Sequence, residues 1–299
     1  MKNLLRIAFL VLMLAALLVL LPSGAMVAQA EILELPLDAT EGLPPQADGY
    51  LSDWAYEDPS ISVSIETGRY EETNYMVARV KLVNPTQLRT AMATSYYNPS
   101  TALGSTLARR SKAVLAINGD FFSARNGVGF VERQGKEYRL KCNGNFDVLL
   151  IDDQGDLHIL PAASNEDVQA FSGTIVQGFT FGPGLIIGGE KQTGLAKHTF
   201  AGGQKPAQRM CLAQTGPLEY LCISSEGPED KGSVGLTLDQ FCDLVSSFDG
   251  ILNAYNLDGV SSSTMVFRNK KVNSPNNPKR RPLCDIIYFA SAYQPDAQE

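Results

Sequence analysis

Apolar and polar positions along this 299-residue chain change character near residue 61, where short apolar runs with turn residues between them begin. Residues 75–82 alternate in part and are rich in β-formers, while residues 113–117 (Ala-Val-Leu-Ala-Ile) form a continuous apolar run that reads as a buried strand. Further strands are predicted at 146–151 and 156–160, which bracket the hairpin turn Asp152-Asp153-Gln154-Gly155. Residues 209–214 and 218–224 flank Thr215-Gly216-Pro217, a tight reversal. Residues 251–255, 265–267 and 283–290 complete the set. Helical patterning is sparse. A short helix is expected at 105–112, and Ser164-Asn165-Glu166-Asp167 opens another. The strongest helix is 238–248: Thr237 is its N-cap, Gln240 closes a capping box, and Leu236 with Phe241 supplies a staple. Leu238, Phe241, Cys242 and Val245 then share one apolar face. Many strands with few helices predict an α+β fold, a mixed and mainly antiparallel sheet with a few packed helices in a single domain. The intervals are too irregular for a βα barrel or a doubly wound sheet.

That domain is expected at 61–292, with a polar tail at 293–299. Residues 31–60 carry Pro36, Pro44, Pro45 and several acids without a sustained period, and read as an extended leader or linker. Ahead of them, Lys2 and Arg6 precede an unbroken apolar stretch at 7–21, and Ala28-Gln29-Ala30 makes a small-residue cleavage site. The stretch is shorter than the ~18 residues wanted for a membrane span, so a cleaved signal peptide at 1–30 is expected, with an uncleaved anchor as the alternative. Either outcome puts the folded part outside the cytoplasm, and membrane association is expected only with the anchor.

With 44% hydrophobic residues the chain can build a full core. Its net charge of −7 gives no electrostatic footprint for nucleic acid, and it repels an anionic ligand at long range. Any phosphate site must therefore be a local cluster of cations and backbone N–H groups. The five cysteines, Cys142, Cys211, Cys222, Cys242 and Cys284, include no close pair of the kind that holds zinc, and no metal or cofactor is expected. A symmetric hairpin across residues 215–217 would set Cys211 opposite Cys222, as a disulfide or as two buried thiols. His158 and His198 have no serine or cysteine partner suggested by the sequence, which disfavours a hydrolase triad.

Two segments carry candidate chemistry. Asn118-Gly119-Asp120-Phe121-Phe122 closes the 113–117 strand. Asn256-Leu257-Asp258-Gly259-Val260-Ser261-Ser262-Ser263-Thr264-Met265 places an acid, a turn and three consecutive hydroxyls between two strands. Each segment by itself also reads as a turn whose side chains satisfy nearby backbone groups. Together, and in this order, they resemble the phosphodiester glycosidase family. The resemblance runs over residues 74–290 and includes the glycine turn at 181–185, Gln208-Arg209 opening a strand, and Arg281-Pro282 before the last one.

The resemblance implies that the two motifs meet in the fold, and that the chain hydrolyses a sugar-1-phosphodiester. A glycosyl phosphodiester breaks through an oxocarbenium-like transition state with a phosphate leaving group, which calls for carboxylates, cations and sugar-orienting hydroxyls or amides. Asp120 and Asp258 are the motif carboxylates, either one suited to nucleophile, base or charge stabiliser. Arg209 and Arg281 match arginines of the family pattern and are candidates for bidentate phosphate recognition, surface salt bridging being the other reading. Asn118, Gly119, Asn256, Gly259, Ser262, Ser263 and Thr264 are candidates for holding sugar hydroxyls or phosphate oxygens. One position departs from the family pattern: Val260 stands where a second glycine is usual, which points to altered specificity or weakened chemistry. Non-catalytic glycan binding or a role in cell-envelope assembly through the same pocket is the alternative.

Overall fold

In the computed structural model, which describes residues 30–38, 41–124, 127–275 and 281–296, the apolar runs become three larger antiparallel sheets. The expected signal peptide lies, apart from Ala30, outside the described residues. Ile32–Tyr293 make one compact unit. The α+β expectation holds: pairing is antiparallel throughout the three sheets, and the helices are short.

One sheet has eight strands, in the order Glu190–Lys191, Gly184–Ile187, Asn253–Asn256, Arg209–Gly216, Glu219–Ser225, Thr73–Leu82, Ile61–Tyr70 and Ala55–Asp58. A second runs Lys270–Lys271, Met265–Phe267, Ala113–Asn118, Asp285–Ala290, Leu88–Met92. The third runs Leu157–Leu160, Val148–Asp152, Ile175–Phe179, Gly129–Arg133, Lys136–Lys141. Their inner faces converge on one core, to which Leu212, Ile117 and Leu149 each bring a different sheet.

The outer face of the eight-stranded sheet is covered by the helix Leu238–Ser246. Thr237 caps it as expected, in a reciprocal box with Gln240. Its Phe241, Cys242 and Val245 pack on Cys211, Ala213 and Ala254 of the strands below. A second helix, Gly104–Arg110, lays Leu107 and Ala108 on the far side of the Ala113–Asn118 sheet.

Two features depart from the sequence-based expectation. The described part of the stretch read as a leader or linker joins the fold: Leu35 is buried in the cluster under the Gly104–Arg110 helix, and Ala55–Asp58 forms the edge of the large sheet. The Cys211–Cys222 hairpin is not symmetric. A register irregularity between Gln214 and Gly216 pairs Cys211 with Ile223 and Leu212 with Cys222. Successive side chains of a strand point to opposite faces, so a one-residue offset sends the two thiols into different cores. Both are free, and burial raises both thiol pKa values.

The two motifs meet because the second one crosses between sheets. Asn253–Asn256 pairs with Arg209–Gly216 in the large sheet, and Met265–Phe267 pairs with Ala113–Asn118 in the neighbouring one. Residues 257–264 span the gap, with a 3-10 turn at Val260–Ser262.

Candidate functional site

Asn118 fastens the crossing. Its Oδ1 accepts from the Thr264 amide at 3.0 Å, and its Nδ2 donates to the Asp258 carbonyl at 2.8 Å and the Gly119 carbonyl at 3.0 Å. The Asn118 side chain is itself buried, so it positions both motifs and does not face solvent. Gly119 is required sterically: a Cβ there would lie 2.2 Å from Asp285 Oδ1.

That contact exposes a group the sequence reading missed. Buried Arg133 lies between two buried carboxylates, with Nη2 at 2.8 Å from Asp120 Oδ1 and 2.8 Å from Asp285 Oδ2. Its Nε donates to the same Asp285 oxygen at 3.0 Å, and the guanidinium stacks 4.0 Å from the Phe179 ring centroid. The other Asp120 oxygen accepts from the Thr180 amide at 2.8 Å. Burial works against the Arg133 charge, and the two carboxylates outweigh it and raise its pKa. With one cation for two acids, burial raises the Asp285 carboxyl against the opposing pull of Arg133. The available signal was a charged residue at the end of each of two runs with buried apolar positions, Arg133 after Phe130-Val131 and Asp285 before Ile286-Ile287, because a buried charge demands a partner.

Asp258 differs from Asp120. It follows the Asn253–Asn256 strand, is only half-buried, and lines a cavity of about 440 Å³ with Phe181, Phe200, Lys205, Gln208 and Val260. Burial raises its pKa, opposed by a hydrogen bond with the Ser262 hydroxyl, the charge of Arg281 and the Gly259 amide, and reinforced by the charge of Asp120. Arg281 is exposed and sits 4.6 Å from the centroid of the Phe121 ring, whose residue holds φ +55°.

The remaining sequence candidates divide. A Cβ on Gly259 would lie 2.6 Å from the Gln208 carbonyl, so only glycine fits. Val260 donates its amide to that same carbonyl at 2.8 Å and takes φ +54°, a region a β-branched residue resists, with its side chain 56% exposed on the cavity wall. Ser263 is fully buried, bonded to Ser224 Oγ at 3.0 Å and to the Arg209 carbonyl at 3.1 Å. Asn256 is buried too and donates to the Gly182 carbonyl at 2.8 Å; its Oδ1 has no partner among the described residues. Thr264 is buried and holds Asn118 through its amide.

Arg209 borders the cavity, but four of its five N–H donors are engaged by backbone carbonyls. They reach Leu236 at 3.0 Å, Ala201 at 2.7 Å, Gly202 at 2.9 Å and Lys205 at 2.7 Å. With no acid beside it, burial pushes its pKa down to about 10. Arg209 thus fastens the 201–205 loop that walls the cavity, and its side chain is not free for a bidentate phosphate contact. Arg281 is the arginine whose charge reaches the Asp258 carboxylate.

No curated protein sequence matches the chain significantly. The fold is similar to that of the zebrafish N-acetylglucosamine-1-phosphodiester alpha-N-acetylglucosaminidase catalytic domain, auto-inhibited by its pro-peptide. That likeness has a TM-score of 0.64 and 17% identity, over 87% of this chain and 98% of that one. A hypothetical protein from Synechocystis is similar at a TM-score of 0.51 and 18% identity, over 77% of this chain and 62% of that one. The sequence model of the phosphodiester glycosidase family matches residues 111–290, a span that holds both motifs, Arg133 and Asp285, and the chain belongs to that family.

Proposed function

We propose that the chain is an extracytoplasmic hydrolase that cleaves the glycosidic C–O bond of a sugar-1-phosphodiester, releasing free sugar and a phosphomonoester. The observation that carries this reading is the Asp258 carboxylate, half-buried on the wall of the cavity and fixed through its own backbone by Asn118 of the other motif. In this reaction the C1–O electron pair leaves with the phosphate, and water supplies the new bond to C1. Asp258 is placed to stabilise the positive charge on the sugar or to take the proton from that water. Its ionised form is the working one, and Arg281 and the Ser262 hydroxyl favour that form. Asp120, with both oxygens engaged, acts behind Asp258 as a positioning residue. Arg281 and Lys205 are the cations best placed to meet the departing phosphate. The basic, apolar and small-residue succession of residues 1–30 supports export. Among the described residues no helix is long and apolar enough to cross a membrane.

The test is sugar release from a panel of sugar-1-phosphodiesters that includes a nucleotide sugar, with Asp258→Asn beside the wild type. Loss of a proton-transferring carboxylate is expected to lower turnover by about 10²–10⁴-fold while the variant keeps its fold. Wild-type turnover by Asp258→Asn would overturn the assignment. Saturable binding of the panel without release would instead favour a non-catalytic glycan-binding role, the reading that the left-handed Val260 on the cavity wall supports.

A further inference from the structure

A second cleft, of about 560 Å³, lies along the same end of the eight-stranded sheet as the candidate active site. Register shows the alignment. Arg209 is opposite Ser225, Ser225 opposite Tyr75, and Tyr75 opposite Gly68, on four neighbouring strands. Three inter-strand spacings of about 4.8 Å each carry this row about 14 Å away from Arg209. Only a thin partition separates the two spaces. Gln208, on the wall of the first, donates from Nε2 to Ser274 Oγ, on the wall of the second, at 2.7 Å. The Arg209 amide donates to Ser225 Oγ at 3.1 Å, and the consecutive residues Glu226 and Gly227 line the second and the first space respectively.

The chemistry of the second cleft is that of a sugar-chain site. Trp54 is 45% exposed at its rim, an apolar surface that no core absorbs. Tyr75 turns its ring to the other face of the sheet, over Gly68 and edge-on to Phe248, which leaves Trp54 as the aromatic ring of the cleft among the described residues. Planar polar groups of the same lining are tied together. Arg69 Nη1 donates to Asn74 Oδ1 at 2.7 Å, Asn74 Nδ2 donates to Glu226 Oε2 at 3.0 Å, and the Ser233 hydroxyl donates to that same oxygen at 2.6 Å. Aromatic faces pack on the C–H faces of sugar rings, and fixed planar amides, carboxylates and guanidinia meet neighbouring hydroxyls with little ordering cost. Arg69 and Glu226 are the charged residues of this lining among the described residues, and their charges offset each other.

We infer that this cleft binds a chain of uncharged sugars that continues from the phosphodiester held at Asp258, so that the substrate is an oligosaccharide-bearing phosphodiester and not a free nucleotide sugar. The inference rests on the proposed reaction for the placement of the phosphodiester; its test reads binding alone.

Trp54 is the single tryptophan of the chain, so indole emission reports on this cleft. The experiment titrates the Asp258→Asn protein with neutral hexasaccharides (an α-1,4-glucan, a β-1,4-glucan and an α-1,6-mannan) and, separately, with inorganic phosphate and UDP-glucose. Expected is a saturable change of Trp54 emission with at least one hexasaccharide and none with phosphate or UDP-glucose. In Trp54→Ala, calorimetry should show at least a tenfold weaker affinity for that hexasaccharide, and in Arg69→Ala the emission change should weaken likewise. The inference is overturned if no hexasaccharide changes the emission, if UDP-glucose changes it as strongly, or if both variants bind as the parent does. Because no turnover is read, failure of sugar release and failure of this binding are separate results.

Discussion

Replacing Arg133 with methionine keeps the length and much of the packing of the side chain while deleting the one cation between Asp120 and Asp285. Each ion pair, with charge centres about 4 Å apart, is worth about 4 kcal/mol at an effective dielectric constant of about 20, before desolvation is charged against it. Breaking a buried pair from one side costs about 3–5 kcal/mol because the remaining charge is stranded. Here two carboxylates are stranded, which puts Arg133→Met at the upper end of that range. The carboxylates have one escape, which is to take up protons. For an aspartate with an unfolded pKa near 3.9, protonation costs about 1.4 kcal/mol per pH unit, hence about 4 kcal/mol at pH 7 and about 1.5 kcal/mol at pH 5. The destabilisation is therefore expected to shrink by about 2.5 kcal/mol between pH 7 and pH 5 for each carboxylate that protonates. Urea unfolding of both proteins at the two pH values measures it. Should the variant prove too unstable at pH 7, adding Asp285→Asn should restore folding by removing one stranded charge. An equal loss at both pH values would refute the electrostatic account and leave Arg133 as a packing partner of Phe179 alone.

Two further outcomes follow from the same structure. Arg209→Lys cannot reproduce a planar fork that reaches four carbonyls, so stability should fall by about 2–4 kcal/mol; unchanged urea stability with weakened sugar-phosphate binding would show that Arg209 contacts the ligand instead. Glu132 has its carboxyl pushed up to about 7, by burial and then by Glu137. A folded-state pKa above the unfolded one means folding takes up a proton, so this contribution is complete below pH 4.5 and is lost as pH rises toward 7. Glu132→Gln should flatten the decline in unfolding free energy over that window, by an amount on the order of 1–2 kcal/mol, and an identical pH profile for the two proteins would contradict the assignment.

What the sequence by itself determined was local. The capping box at Thr237, the cap at Ser164, the turn of 152–155 and the strand leading into Asn118 rest on neighbours a few residues apart, so their chemistry was visible without the fold. The two motifs were legible as well, and so was the oddity of Val260, which the structure places at φ +54° on the cavity wall. Tertiary structure decided which motif residues face the ligand space. Asp120 and Asp258 look alike in sequence, yet one is sealed by Arg133 and Thr180 while the other lines the cavity. Arg209 looked like an anion binder until carbonyls from 201–205 and 236 took its donors. One irregular residue pairing in a hairpin turned Cys211 and Cys222 to opposite faces. In each case the partner comes from another strand or loop. A single sequence specifies which side chains are present, but the long-range register selects which charges are neutralised and which remain open to a substrate.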